Sequence, residues 1–371
     1  MLKKHHKTVT VIVKGNINAS PTVLNIIEML LANNLDVNCI CSSCEEEARN
    51  FFLRQNVSLF ELGCYKGQGL WNKVSGYLKF RKKVWETIFS NQLQETLLWV
   101  ARIDTAMAMG KGLVSYHFVL GLHELHDKYP FYQKQISFYA KQACKVVVPE
   151  YNRAIMLKCW HKLATTPSIL PNKPYSHLRT KGIPISDSTA GEIMKNAVKG
   201  RKIILYQGAL TKDRDLKPIA SAVEKLDNGY CFLVMGKDNY GKLEELKKVC
   251  SKIVHIPWVV PPAHLEVTSH AHIGIAAYDF DCLNSVYCAP NKIWEYTGFG
   301  IPVLCQDIPG LRYTVGVANA GVCVNIQDEN QLLEAFKEIS LNYDKYKNNA
   351  SQFYNSVNLE NTMRNIISDG C

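Results

Sequence analysis

The chain has 371 residues, 47% hydrophobic and 20% charged, with a formal net charge of +10. That length is more than one core usually fills, and the composition excludes a disordered chain. No run approaches the roughly 20 apolar residues of a spanning helix, and the apolar run after "MLKKHHK" is too short for a signal segment, so a cytoplasmic protein is expected.

"TVTVIVKG" (8–15) is β-branched, continuously apolar and closed by Gly15, as a strand buried on both faces should be. Pro21, behind Ser20 as N-cap, opens a helix through Asn34. "DVNCIC" (36–41) is the next strand, and Glu45–Glu47 start the helix after it, where negative charge is favoured. The 13 cysteines are scattered among apolar neighbours; "CSSC" (41–44) has no second pair or histidine near it, so reduced packing thiols are expected rather than a metal site. Strands at 57–62, 96–102, 113–120 and 144–149 follow, with a long helix over 70–94. Such alternation predicts a parallel sheet with helices on both faces.

Residues 171–200 lose apolar periodicity and gather Pro, Ser, Gly and Lys. The predicted division is a first domain over 1–175, a linker over 176–200 and a second domain over 201–371, whose last helix can pack back on the first. In the second domain strands fall at 202–208, 230–236, 253–259, 272–278, 301–306 and 321–325, with helices at 214–227, 240–251, 261–270, 290–298 and from 328 onward. The fold class is therefore α/β with two doubly wound, Rossmann-like domains, and a cleft between them is the expected ligand site.

Three stretches at strand ends of the second domain carry candidate chemistry. In "LYQGALTKDRDL" (205–216) a strand closes at Gly208, and Lys212 and Arg214 precede a helix, which suits a diphosphate; an ordinary turn with solvated charges fits the same residues. In "VMGKDN" (234–239) and "HIPWVVPPAHL" (255–265), Gly236, Trp258 and Val259 stand where a planar base could lie, and a core role for Trp258 fits as well. In "APNKIWEYTGFGIPVLC" (289–305), Asn291 and Lys292 occupy a first helical turn and Glu295 lies three residues beyond Lys292 on the same face. Lys292 with the helix N-terminus could hold phosphate and Glu295 the ribose hydroxyls; a solvated ion pair is the plainer alternative.

Pro290, Asn291, Lys292, Glu295, Tyr296, Gly300, Pro302 and Val303 resemble the donor-binding motif of retaining glycosyltransferases of the GT-B fold, family four, in the Pro-Asn-Lys-x-x-Glu-Tyr branch. "LHELHDKYP" (122–130) looks like that family's His-Glu segment, and "GALTKDRDL" resembles its pyrophosphate loop. The resemblance runs nearly the whole chain in order. It implies a nucleotide-sugar donor in the second domain and an acceptor in the first. Glu295 would hold the ribose, Arg214 and Lys212 the diphosphate, and the Trp258–Val259 region the base; His123 would position the transferred sugar, and Gly15 counts among the donor-binding residues. No cofactor and no metal are implied, because cations and helix ends stabilise the leaving diphosphate. Two departures stand out: Cys288 occupies the place of a second acid seven residues before Glu295, and Ala209 that of an arginine.

The implied activity is transfer of a sugar, with retention, to a saccharide or lipid-linked saccharide, as in bacterial surface polysaccharide synthesis. A nucleotide-sugar 2-epimerase and a catalytically silent partner subunit are the alternatives. The +10 charge suits phosphorylated ligands and anionic surfaces, and without a nucleic-acid module no nucleic-acid partner is expected. "SGYLKFRKKVWETIF" (75–89) mixes Lys79, Arg81, Lys82 and Lys83 with aromatic and aliphatic residues; it fits a helix lying on the inner face of a membrane and equally a packed helix with a basic face.

Overall fold

The computed structural model describes residues 7–63, 70–212 and 214–368. The basic start before Lys7, and Asp213 in the pyrophosphate-like loop, lie outside the described residues. The chain divides into two compact units, Met1–Ser176 with Asn358–Cys371, and His177–Val357.

In the first unit, β1 (Thr8–Asn16), β2 (Asp36–Ser43), β3 (Ser58–Glu61), β4 (Leu97–Val100), β5 (Phe118–Gly121), β6 (Lys145–Val148) and β7 (Ser168–Ile169) form one parallel sheet in the order β3-β2-β1-β4-β5-β6-β7. Val9 of β1 lies level with Val37 on one side and Leu97 on the other, and Val9, Val11, Ile12 and Val13 are fully buried. A strand covered by helices on both faces needs apolar residues at successive positions, which is why β1 shows no alternation.

The long helix, Leu70–Ser90, buries Phe80, Val84 and Ile88 completely. Arg81 donates to the carbonyls of Ala108 and Met107, and Trp85 Nε1 to that of Met109. These five side chains are therefore packing and anchoring groups; the exposed residues of the basic stretch are Ser75, Leu78, Lys79, Lys82, Lys83, Glu86 and Phe89, with Lys82 paired to Glu86 at 3.7 Å and Lys83 donating to the Leu62 carbonyl. The strand expected over 113–120 starts only at Phe118. Residues Lys111–Ser115 instead form a tight 3-10 turn in which Leu113 accepts from Tyr116 and is fully buried, so its apolar character reflects core packing.

In the second unit, β8 (Lys202–Gln207), β9 (Tyr230–Met235), β10 (Ile253–Ile256), β11 (Ile273–Ala276), β12 (Val303–Gln306) and β13 (Gly321–Val324) form a second parallel sheet, ordered β10-β9-β8-β11-β12-β13. The expected linker belongs to this unit. Asp187 caps the helix Ser188–Ile193 by accepting from Ala190 N, and Ala190 and Val198 join the second unit's core. The last helix, Leu359–Ser368, belongs to the first unit, where the Tyr175 hydroxyl donates to Glu360 and the Asn33 amide to the Glu360 carbonyl.

Among the described residues ten cysteines are free, with Cys39, Cys41, Cys231 and Cys305 wholly inside the core, but Cys144 is disulfide-bonded, so the expectation of reduced thiols does not hold throughout. No described helix is long and apolar enough to cross a membrane.

Candidate functional site

In a doubly wound sheet the strand order reverses at one point, and a crevice opens there beyond the carboxyl ends of the strands. In the second unit that point lies between β8 and β11. A cavity of about 260 Å³ opens there, lined by Gln207, Gly208, Met235, Trp258, Val259, Pro261, His264, Tyr278, Pro290, Asn291, Lys292 and Glu295.

The helix Asn291–Gly298 supplies the charged wall. Pro290 ends the preceding extended chain with φ −74°, and Asn291 and Lys292 form the first turn. Glu295 is 9% exposed and Lys292 7%. Tyr296, fully buried on the same helix, donates to the Leu205 carbonyl and accepts from the Gln207 backbone, which fixes the helix against the end of β8. The ring fits because Gly274 of β11 has no side chain; a Cβ there would stand 2.3 Å from Tyr296 Cδ2.

Both oxygens of Glu295 have partners. Gln207 Nε2 donates to Oε2, and the Gln207 carbonyl oxygen in turn accepts from Thr268 Oγ1 at 2.7 Å. His264 Nε2 lies 3.4 Å from Oε1. From beneath, His177 Nε2 is 3.0 Å from the Glu295 backbone carbonyl while its Nδ1 accepts from Arg179 N, so the ring carries its proton on Nε2. Burial, with Arg179 nearby, holds His177 down to about 4.

Lys292 Nζ has no hydrogen-bond partner. It lies 4.3 Å from the Tyr206 ring centre and 5.6 Å from that of Tyr278. Arg214 faces the same rings, 4.5 Å from the centre of Tyr278 and 3.4 Å from the Tyr206 hydroxyl. Burial above all, and then the Arg214 charge, push the Lys292 amine well below its usual range, against the opposing pull of Glu295. Gly208 adopts φ +135°, and a Cβ there would stand 3.4 Å from the amine, so glycine keeps the space above Lys292 open. Arg214 and the Lys292 amine at the start of a helix make an anion site, and the buried amine is the part of it that a protein-only environment leaves unsatisfied.

Trp258 is 46% exposed on the rim, with Lys237 Nζ 4.8 Å above its ring, whereas Val259 is buried. Gly236, at φ +153°, lets β9 approach β8: a Cβ would stand 2.0 Å from the Gly208 carbonyl oxygen. Lys212 is exposed and lies 5.3 Å over Tyr240, away from the cavity wall. Cys288 is a buried core residue.

The first unit has its own cavity of about 230 Å³, lined by Arg102, Ile103, Asp104, Leu122, His123, Glu124, His126 and Tyr132. His123 follows β5, and Arg153 donates to its backbone carbonyl. Burial, then Arg102 and Arg153, push the ring down to about 4, leaving it neutral near pH 7. Gly15, at the end of β1, is held by Ser42 Oγ at 3.1 Å and lies against Arg102.

No protein-family profile matches the sequence. Solved structures do match. Anabaena HepE, in complex with UDP and glucose, is similar over 98% of each chain with a TM-score of 0.69 at 11% identity. WaaG, a glycosyltransferase involved in lipopolysaccharide biosynthesis, is similar over 98% of this chain and 100% of its own, with a TM-score of 0.66 at 16% identity. This chain has the GT-B fold. Sucrose-phosphate synthase of Thermosynechococcus elongatus shares the GT-B likeness at a TM-score of 0.67 and 14% identity, over 97% of this chain and 95% of its own. In sequence, 172 residues are 23% identical to an uncharacterized 41.2 kDa protein in the cps region of Klebsiella pneumoniae. That match spans 44% of each protein, less than half of the relative's length.

Within this GT-B chain, Gly208, Trp258, Val259, Asn291, Lys292 and Glu295 meet around one cavity, with Arg214 beside it. Lys212 stands apart, and His123 and Gly15 belong to the other unit. Sequence reasoning missed Gln207, Thr268, His264, Tyr206 and Tyr278. Gln207 alone carried a signal, as a polar residue ending an otherwise apolar strand just before Gly208.

Proposed function

We propose that this chain is a retaining glycosyltransferase that binds a nucleotide-sugar in its second unit and transfers the sugar to a saccharide or lipid-linked saccharide. The observation that carries the reading is the Lys292 amine, buried without a hydrogen-bond partner 4.3 Å from the Tyr206 ring, in the cavity that also holds the Glu295 carboxylate. A nucleoside diphosphate satisfies both: its phosphates take Lys292 and Arg214, and its ribose hydroxyls donate to Glu295, whose oxygens keep lone pairs beyond those given to Gln207 and His264. Met235, Trp258 and Val259 are left for the base. Cations preset at the leaving diphosphate lower the barrier by stabilising charge where it develops, so the reading needs no metal and no cofactor.

The shared fold with HepE, solved with UDP and glucose, and with WaaG, of lipopolysaccharide biosynthesis, supports a UDP-sugar donor and a role in surface polysaccharide synthesis. Lys79, Lys82, Lys83, Leu78 and Phe89 are the exposed residues through which the first unit would rest on an anionic membrane.

Nucleotide release from a panel of UDP-, GDP- and ADP-sugars, with and without saccharide acceptors, tests the activity. Acceptor-dependent release with the anomeric configuration kept supports it. Conversion of donor without acceptor points to the epimerase, and binding without turnover to a silent partner.

A further inference from the structure

Lys292 and Arg214 are like charges brought to one spot, and the amine feels the guanidinium as repulsion. No carboxylate is bonded to the amine: the oxygens of Glu295 are taken by Gln207 and His264, and Lys292 Nζ has no hydrogen-bond partner. What the two cations share instead is a pair of tyrosine side chains. Tyr206 is the next-to-last residue of β8 and wholly buried; Tyr278 follows β11, the strand beside β8, and lines the cavity.

Each tyrosine touches both cations. The Tyr206 ring centre lies 4.3 Å from Lys292 Nζ, and its hydroxyl accepts from Arg214 Nη1 at 3.4 Å while donating to the Ala209 carbonyl at 3.2 Å. The Tyr278 ring centre lies 4.5 Å from the Arg214 guanidinium carbon and 5.6 Å from Lys292 Nζ. A ring face attracts a cation through its quadrupole without taking up the N–H donors. A carboxylate in the same place would neutralise the cations and compete with an incoming anion. The rings therefore hold two charges ready and leave the Lys292 N–H groups for phosphate oxygens. Two cations match the charge of two adjacent phosphates better than that of one.

We propose that Tyr206 and Tyr278 set this site's preference for a diphosphate over a monophosphate, by holding Lys292 and Arg214 as one paired cation site. Tyr206 acts through the two cations and is a positioning residue. The proposal rests on the donor reading and deepens it by naming the side chains that make a pair of phosphates the recognised feature.

The test is calorimetry at neutral pH on the full chain, with UDP, GDP and ADP, their monophosphates, and inorganic pyrophosphate and phosphate, melting temperatures being recorded alongside. The wild type should bind one nucleoside diphosphate more tightly than its monophosphate, and pyrophosphate more tightly than phosphate. Tyr278→Leu should weaken the diphosphate about tenfold and the monophosphate far less, so their ratio falls. Tyr206→Phe, which keeps the ring beside Lys292, should retain more of that ratio than Tyr206→Leu. A tyrosine that only fills space would lower the melting temperature and weaken both ligands alike. An unchanged ratio in Tyr278→Leu overturns the proposal, and this half-buried position decides the matter even where Tyr206→Leu does not fold. That result, with the wild type still binding a nucleoside diphosphate, leaves the donor reading intact. A wild type that binds pyrophosphate but no nucleotide sinks the donor reading alone, and the ratio of pyrophosphate to phosphate then tests the tyrosines.

Discussion

Gln207, the last residue of β8, donates its side-chain amide to the carboxylate of Glu295, on the helix that begins at Asn291. Thr268 holds the other end of that amide, so the Glu295 carboxylate is aimed before any ligand arrives. Replacing Gln207 with Leu should therefore cost nucleotide affinity without touching the ligand. The expected loss is about 1–3 kcal/mol, confined to nucleotides with ribose hydroxyls; 2′,3′-dideoxy-UDP should bind both proteins alike. Equal losses for UDP and its dideoxy form, measured by calorimetry, would mean that Gln207 supports the fold rather than the carboxylate.

Lys292 makes a different prediction. A buried amine without a hydrogen-bond partner strains the empty protein and rewards an anion. Lys292→Met should melt at a higher temperature than the wild type while losing UDP affinity, a split that calorimetry and thermal denaturation together can detect. Because burial and Arg214 depress the amine and a bound diphosphate would restore its proton, UDP binding at mildly alkaline pH should take up a proton, and affinity should rise as pH falls. Titration in buffers of different ionisation enthalpy measures that uptake; none is expected in Lys292→Met.

Acidification should destabilise the protein through His123, His177 and His272, all held down to about 4 chiefly by burial. Unfolded, each titrates near 6.5. The unfolded chain thus binds more protons between those values, and stability present above about pH 6.5 is lost as pH falls toward 4. A melting temperature flat from pH 6.5 to 4 would contradict these burials.

How much of this was legible in the sequence depends on how far apart the cooperating residues lie. Lys292 and Glu295 are three residues apart on one helix, so their common face follows from helical geometry. Strands such as β1 and β8 announced themselves because burial on both faces demands unbroken apolar runs. Gln207 and Glu295 are 88 positions apart, and Thr268 is 61 from Gln207; only the β8–β11 switch point brings them together, and no local spacing records it. The linker was misjudged because the loop-like composition of 176–200 outweighed the few residues, Ala190 and Val198 among them, that bury against the second unit. Trp85 and Arg81 fitted a surface helix and a packed one equally well by type; only the fold shows that they satisfy backbone carbonyls at the end of the next helix.

The backbone approach at Gly236 is as strict as the polar contacts. Gly236→Ala would set a methyl 2.0 Å from the Gly208 carbonyl oxygen in a φ +153° conformation, so the loop bearing Gly208 must move. We expect a loss of about 1–3 kcal/mol in stability together with weakened UDP binding. Denaturant unfolding showing a wild-type midpoint would mean that the two strand ends separate freely.

The central claim is that Glu295 receives the ribose of an activated nucleotide. It is tested by calorimetric titration of UDP, GDP and ADP into the wild type and Glu295→Ala. One nucleotide should bind the wild type, and the variant should bind it more weakly by about 1–3 kcal/mol. Identical affinity in both proteins would contradict the account.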